Sequence, residues 1–360
     1  MGDARAADAE GALRHVRRDV AGMAGYTPGE QVADCIKLNT NEPSSPPSPA
    51  VLAAVAAIPP ERFRLYPDPR ATALRRAAAG LYGVDESCIL AGNGSADCLT
   101  VLYRSLCGPG DRVACPWPTY GLYDTLAALQ GVAIQHLDYR QHGGGWDLPE
   151  GLEGCGAKLV MVANPNNPSA TLTAPDRLRR LAERLDGILC VDEAYVDFAP
   201  PGSSLLPFLA EHPNLVVLRT FSKSYSLAGA RLGLMFAGPA LTDVFMKVKD
   251  SYNVNHLTQV AGAAALRDRA HHAQLVAAVL AERRRLEAAL AGMGWSWPAS
   301  AANFLLCQVG PQAGRIYEGL KQRGILVRWW NRPGLSERLR ITVGAPAQND
   351  ALLAALKALA

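Results

Sequence analysis

The sequence predicts an α/β protein: a large domain with a mostly parallel sheet covered by helices, plus a smaller α+β domain. Three observations carry that prediction. Short apolar runs alternate with helical periods from about residue 50 to residue 250. The texture then changes to one long helix followed by strand-like pieces. Hydrophobic residues make up 49% of the 360-residue chain against 19% charged, enough for a sizeable core. Continuous apolar strands separated by amphipathic helices are the pattern of a parallel sheet buried on both faces.

At the N-terminus, residues 11–25 read as a short amphipathic helix ending near Gly25, followed by the turn Tyr26-Thr-Pro-Gly29. The Pro-rich run Pro43-Ser-Ser-Pro-Pro-Ser-Pro49 then breaks regular structure. Residues 1–45 are therefore expected to form an arm that joins the small domain. Strands are expected at Cys88–Leu90, Arg112–Cys115, Val132–His136, Lys158–Ala163, Gly187–Val191, Leu215–Arg219 and Gly233–Ala237. Helical periods lie between them at Ala96–Leu106, with Leu99, Leu102 and Leu106 on one side, and at Pro175–Leu185, with Leu178, Leu181 and Leu185. These elements fill an expected large domain over 46–250. Beyond it, a helix from about Gln274 to Ala291 stops at Gly292, and strands follow at Asn303–Val309, Gly324–Arg328 and Arg338–Val343. That reads as a small C-terminal domain over 251–360.

Composition narrows the function. Lys+Arg total 36 and Asp+Glu 33, and a formal charge of +3 gives no case for nucleic acid or a membrane surface as partner. The eight cysteines contain no C-x-x-C pair, and Cys190 sits inside an apolar run, so they read as reduced core thiols. The seven histidines are scattered, with no metal-binding spacing; no metal is expected. No run approaches the roughly 18 apolar residues of a spanning helix, and Asp3, Arg5, Asp8 and Glu10 do not fit a targeting peptide. The chain is read as soluble and cytoplasmic.

In open α/β sheets ligands bind at the carboxyl ends of strands. Three such ends carry Asn164-Pro-Asn-Asn-Pro-Ser-Ala170, Asp192-Glu-Ala-Tyr195 and Thr220-Phe-Ser-Lys-Ser-Tyr-Ser226. Each has an ordinary alternative: an Asn/Pro turn, a helix cap, a polar loop. Their occurrence at successive strand ends points instead to one site. Of only seven lysines, Lys223 alone follows a buried-looking strand. Desolvation there lowers its pKa toward a nucleophilic range and makes it a candidate Schiff-base lysine. Ser222, Arg231 and the N–H groups of Ser95 and Ala96 at a helix start suit a phosphate dianion. Gly92-Asn-Gly-Ser95 is too short for a Walker loop, so ATP is not supported. A lysine, a carboxylate and a phosphate cradle at one sheet mouth suggest pyridoxal phosphate. Asp192 would keep its ring nitrogen protonated, Tyr120 would stack on the ring unless it is an ordinary core tyrosine, and Asn167 and Tyr195 would reach the ring oxygen.

These residues resemble a known family, the fold-type I pyridoxal-phosphate aminotransferases, and within it the histidinol-phosphate aminotransferases. The resemblance runs from about Tyr26 to the C-terminus. It rests on Tyr66-Pro-Asp-Pro69, Gly92-Asn-Gly-Ser95, Pro118-Thr-Tyr120, Asn164-Pro-Asn-Asn-Pro168, Asp192-Glu-Ala-Tyr195, Thr220-Phe-Ser-Lys-Ser-Tyr225, Ala228-Gly-Ala-Arg231 and Leu339-Arg-Ile-Thr-Val-Gly344. By this resemblance Lys223, Asp192 and Tyr195 are catalytic, and Ser95, Ala96, Tyr120, Asn167, Ser222 and Arg231 bind the cofactor. Tyr66 matches a tyrosine that reaches the phosphate of the neighbouring subunit's cofactor, which implies a homodimer with shared active sites. Arg340 matches the arginine that pairs with a substrate carboxylate, a task for a planar fork. Arg328, Tyr26 and Asn41 are expected to meet the phosphorylated substrate. The implied reaction converts histidinol phosphate and 2-oxoglutarate to imidazole acetol phosphate and glutamate, in histidine biosynthesis.

The chain departs from the family pattern at three places. Ala96 stands where an acidic residue is common, Ser169-Ala170 replaces Thr-Gly, and Trp329-Trp330 are bulkier than expected after Arg328. Competing readings are a threonine-phosphate decarboxylase or an aromatic amino-acid aminotransferase on the same scaffold. A non-catalytic aminotransferase-like regulator is disfavoured, because the roughly two dozen residues before Tyr26 are too few for a DNA-binding module. A dehydrogenase lacks its G-x-G-x-x-G.

Overall fold

The computed structural model describes residues 11–23, 25–26, 28–142 and 145–359. Asp3, Arg5, Asp8, Glu10 and Thr27 lie outside the described residues. The expected helix over 11–25 is not continuous. Helical backbone at 11–13 gives way to turns closed by His15 N–Ala12 O and Val16 N–Leu13 O, and resumes only at Arg18–Ala21. The reason is packing: that helical turn buries no residue, and Leu13 remains 62% exposed, so a short helix lacks the apolar contact that stabilises it.

The central sheet has seven strands: β2 (Ile89–Gly92), β3 (Arg112–Trp117), β4 (Ala133–Asp138), β7 (Leu159–Ala163), β8 (Ile188–Asp192), β9 (Leu215–Thr220) and β10 (Gly233–Ala237). A hairpin of β5 (Arg140–His142) and β6 (Gly145–Asp147) branches off after β4, and β1 (Ile36–Lys37) lies apart. The order across the central sheet is β2-β10-β9-β8-β7-β3-β4, and β10 alone runs antiparallel to its neighbours. Every residue of β7, β9 and β10 is buried, which explains why β7 and β10 read as unbroken apolar runs and β9 as one up to Arg219 and Thr220. Helices α1 (Ser95–Leu106) and α2 (Pro175–Arg184) bury Leu99 and Leu102, and Leu178 and Leu181, as their periodicity predicts.

The parallel strands deliver their carboxyl ends to one edge. Because β10 runs the other way, its amino end, with Arg231 just before it, arrives at that same edge.

The C-terminal part packs a three-stranded antiparallel sheet, β11 (Phe304–Gln308), β14 (Arg338–Thr342) and β13 (Arg328–Trp329), on helices that include α3 (Arg269–Ala291). α3 starts five residues earlier than its apolar period because Asp268 accepts from His271 N and caps it. The expected strand Gly324–Arg328 is two strands. β12 (Ile325–Leu326) pairs with β1, while β13 pairs with β14. The backbone changes partner at Val327, which interrupts the ladder. The β1–β12 pairing, Ile36 opposite Ile325, fastens residues 36–37 to the C-terminal part.

Among the described residues no helix is long and apolar enough to cross a membrane, and no group of three or more His, Cys, Asp or Glu is placed to hold a metal ion.

Candidate active site

One cavity of about 940 Å³ opens at the edge where the strand ends converge. Every site residue named from the sequence lines it except Tyr66. Tyr66 is 78% exposed and stacks on Tyr252 at 4.4 Å, outside the cavity.

The cavity floor is set by strand ends. Asp192, the last residue of β8, is buried and accepts from the Tyr123 hydroxyl at 2.9 Å and from Ala194 N at 3.1 Å. Burial pushes its carboxyl up, against those two bonds. Both donors are neutral, so a cationic ring set against Asp192 would supply the missing opposite charge. Lys223, just past β9, donates from Nζ to Thr40 O at 2.9 Å and lies 5.8 Å from the Tyr195 ring centre. Burial, then the nearby Arg340 and Arg231, lower its pKa to about 7, with Glu42 acting the other way. An amine so placed is neutral in part at physiological pH and able to act as nucleophile and base.

A consequence follows for stability. An unfolded lysine titrates near its ordinary value, so between about pH 7 and that value the unfolded chain binds one more proton than the folded one. Stability of the cofactor-free protein should therefore rise with pH across this window, by up to about 1.4 kcal/mol per pH unit. Thermal unfolding of wild type and Lys223→Met should diverge accordingly above pH 7, and parallel curves would refute the lowered lysine.

An anion cradle sits at the start of α1. Asp97 N and Cys98 N turn back to Gly94 O, which leaves the Ser95 and Ala96 N–H groups at the helix start for an anion. The cradle is tight: a Cβ on Gly233 would meet Ser95 N at 2.3 Å, and one on Gly94 would meet Arg231 Nη2 at 2.6 Å. Ser222, its hydroxyl accepting from Thr220 Oγ1 at 3.0 Å, faces the same space with Arg231. At Ala96 the family's acidic residue is absent. The adjacent Asp97 serves the loop instead, accepting from Asn93 N at 2.8 Å and Asn253 Nδ2 at 2.9 Å.

The opposite wall is cationic. Arg340 is 6% exposed and donates from Nη1 to Asn167 Oδ1 at 2.6 Å and from Nη2 to Asn39 O, while its Nε has no partner among the described residues. Burial lowers its pKa to about 10, which leaves it charged at neutral pH. A buried guanidinium with an unused donor is ready for a carboxylate. Trp330 lies under both Arg340 and Arg328, 5.4 Å from each guanidinium, so this tryptophan is cavity wall. Trp329 is not; it packs on Tyr317 and donates to Ser336 O. Tyr195 OH accepts from Asn41 Nδ2 at 3.0 Å, and burial raises its pKa. Tyr26 meets Tyr120 edge-on at 5.7 Å.

Ala170 adopts φ 63°, where the family's glycine is unstrained. Relief of about 1–2 kcal/mol is set against roughly 0.5–1 kcal/mol of backbone entropy and about 0.8 kcal/mol for the buried methyl group. Ala170→Gly should thus leave Tm close to that of wild type, which calorimetry can read.

Sequence reasoning missed Tyr123, Thr40 and Glu42. Tyr123 was legible in part, since it stands three residues after Tyr120 and so one helical turn on. Thr40 contributes a backbone carbonyl, which no side-chain pattern announces.

Comparison with known proteins decides the family. A model of the family "Aminotransferase class I and II" matches residues 33–356. The chain belongs to the class I and II aminotransferases. It is 42% identical to histidinol-phosphate aminotransferase 1 of a Nostoc strain, over 95% of this chain and 97% of that protein. It is likewise 42% identical to the histidinol-phosphate aminotransferase of a Synechocystis strain, over 96% and 98%. Among solved structures, histidinol-phosphate aminotransferase from Sinorhizobium meliloti in complex with pyridoxal-5'-phosphate superposes with a TM-score of 0.87 at 26% identity, covering 96% of this chain and 97% of that one. The cavity of this aminotransferase fits such a group: a buried carboxylate with only neutral donors, a lysine of lowered pKa, and a backbone anion cradle without room for a Cβ.

Proposed function

We propose that this aminotransferase binds pyridoxal phosphate and exchanges an amino group between histidinol phosphate and 2-oxoglutarate, a step of histidine biosynthesis. The observation that carries the reading is the single cavity that holds Lys223 and Asp192 between two anion-binding ends, with close relatives of that activity across nearly the whole chain. Bound pyridoxal phosphate supplies an electron sink conjugated with the substrate Cα.

The chain's own residues do the rest. Ser95, Ala96, Ser222 and Arg231 hold the cofactor phosphate, Tyr120 covers one ring face, and Asp192 holds the ring-nitrogen proton. Asn167 and Tyr195 donate to the ring oxygen; Tyr195 is free to donate because Asn41 already supplies the proton of their mutual bond. Lys223 Nζ takes the proton from the substrate Cα. Arg340 binds the carboxylate of glutamate or 2-oxoglutarate, and Arg328 with Tyr26 meets the phosphate of histidinol phosphate.

We read the protein as a cytoplasmic homodimer with shared sites. Phe63, Leu65, Tyr66 and Leu257 form an exposed apolar surface that supports a second copy docking there, with Tyr66 reaching the other copy's phosphate cradle. The described cysteines are all free, in keeping with a reducing compartment.

The test is amino transfer from histidinol phosphate to 2-oxoglutarate with ping-pong kinetics. Release of carbon dioxide from threonine phosphate without that transfer would replace the reading. Arg340→Lys, which loses the fork and the Asn167 bond together, should raise KM for glutamate by roughly 10–100-fold while the protein stays folded.

A further inference from the structure

We propose that the buried ionic cluster of Arg219, Asp197 and Glu193, behind the cavity floor, is a positioning device that fixes Lys223 relative to Asp192. The inference rests on the reading of those two residues given above. It begins from adjacency in the chain. Asp192 lines the cavity, and the next residue, Glu193, is 1% exposed on the far side. Lys223 lines the cavity, and the next residue, Ser224, is 2% exposed on the same far side. Glu193 directly follows the last residue of β8 and Ser224 stands in the turn after β9, so whatever grips these two side chains holds the backbone that carries Asp192 and Lys223.

One cluster grips both. Glu193 accepts from Ser204 Oγ at 2.7 Å and Leu205 N at 2.6 Å, and faces Arg219 Nε at 3.5 Å. Arg219 donates from Nη1 to Asp197 Oδ1 at 3.0 Å, and Asp197 in turn accepts from the Ser224 hydroxyl. The path from one cofactor-site residue to the other therefore runs through Glu193, Arg219, Asp197 and Ser224. Tyr82 presents its ring face to Arg219 at 5.0 Å, and His272 of α3 lies 3.6 Å from Asp197 and stacks on Tyr225 at 4.3 Å.

Stability alone does not explain three charges here, because well-packed apolar residues would serve as well or better. What charges add is geometry. In a low-dielectric interior the Arg219 Nη1–Asp197 bond and the two bonds that Glu193 accepts have few alternatives, although Arg219 Nε makes no hydrogen bond among the described residues, so the cluster resists displacement in a way an apolar contact does not. Lys223 itself has one anchor at its tip, Thr40 O, and that bond must break when the amine reacts. The Ser224 bond persists throughout.

Ser224→Ala in the cofactor-loaded protein is the decisive variant, since it severs the loop from the cluster and leaves every ion pair in place. The expected result is a fall in kcat of roughly tenfold with KM for glutamate changed less than about twofold. The pH midpoint of the visible absorption band should move by about half a unit. Ser224→Thr, which keeps the hydroxyl, should restore both. Glu193→Gln, acting from the Asp192 end, should shift the same midpoint. The proposal is overturned if both Ser224→Ala and Glu193→Gln leave kcat and midpoint at wild-type values, whatever happens to Tm, or if Ser224→Thr behaves like Ser224→Ala. A wild-type protein with no visible band would instead defeat the cofactor reading, and the proposal with it.

Discussion

Lys223→Ala is expected to lower amino transfer by at least about 10⁴-fold, because it removes nucleophile and base at once. Among the described residues no other lysine lines the cavity. The charged groups around it are no substitute: Arg340 and Arg231 are guanidiniums, and the Glu42 carboxylate is not an amine nucleophile. Stability should not fall in parallel, since a buried ammonium, disfavoured by its surroundings, is replaced by a neutral methyl group. Borohydride treatment of the loaded wild type should fix the cofactor on a single peptide, the one containing Lys223. An adduct on any other lysine would sink the assignment. Retention of more than a few per cent activity in the alanine variant would do the same.

Asp192→Asn should give the second largest loss, roughly 10²–10³-fold in kcat. The substitution keeps size, and its one remaining oxygen can still accept from Tyr123 while the bond from Ala194 N is lost, a cost on the order of 1 kcal/mol that leaves the fold standing. What disappears is the negative charge. Without it the ring nitrogen has no anion to hold its proton, and the electron sink weakens. The cost falls on the chemical step, so KM for glutamate should stay within a few-fold, and affinity for pyridoxal phosphate should weaken in an equilibrium titration. A variant that keeps wild-type kcat would show that Asp192 is only a structural partner of Tyr123.

The middle of the large sheet was legible because its strands are mainly apolar and buried: Gly233–Ala237 is predicted to the residue, and Leu215–Thr220 and Leu159–Ala163 to within one. Strand-end chemistry was legible for the same reason, since polar side chains directly after an apolar run must lie at the sheet edge. What escaped prediction depends on tertiary pairing. The break at Val327 exists only because β1 and β14 compete for neighbouring residues, and β1 lies nearly 290 positions earlier in the chain (Ile36 opposite Ile325). The helix over 11–25 has the right period, but the turn that forms at Arg18–Ala21 buries no residue. Thr40 and Asn39 act through carbonyl oxygens, which every residue carries, so composition cannot single them out. The sequence reading also gave Trp329 and Trp330 the same standing, and only packing separates wall from support.

The two-residue pairing of β1 with β12 bears on how the enzyme comes into being during translation. Asn39, Thr40 and Asn41 reach Arg340, Lys223 and Tyr195 because residues 36–37 are fastened to a strand synthesised long after them. Until β12 has left the ribosome, residues 36–41 must wait without their partner as the β2–β10 sheet collapses beside them. Closing so long a loop comes last and slowly. The growing polypeptide can thus own its lysine and its aspartate early, yet gain a finished pocket only after β12 and β14 have emerged.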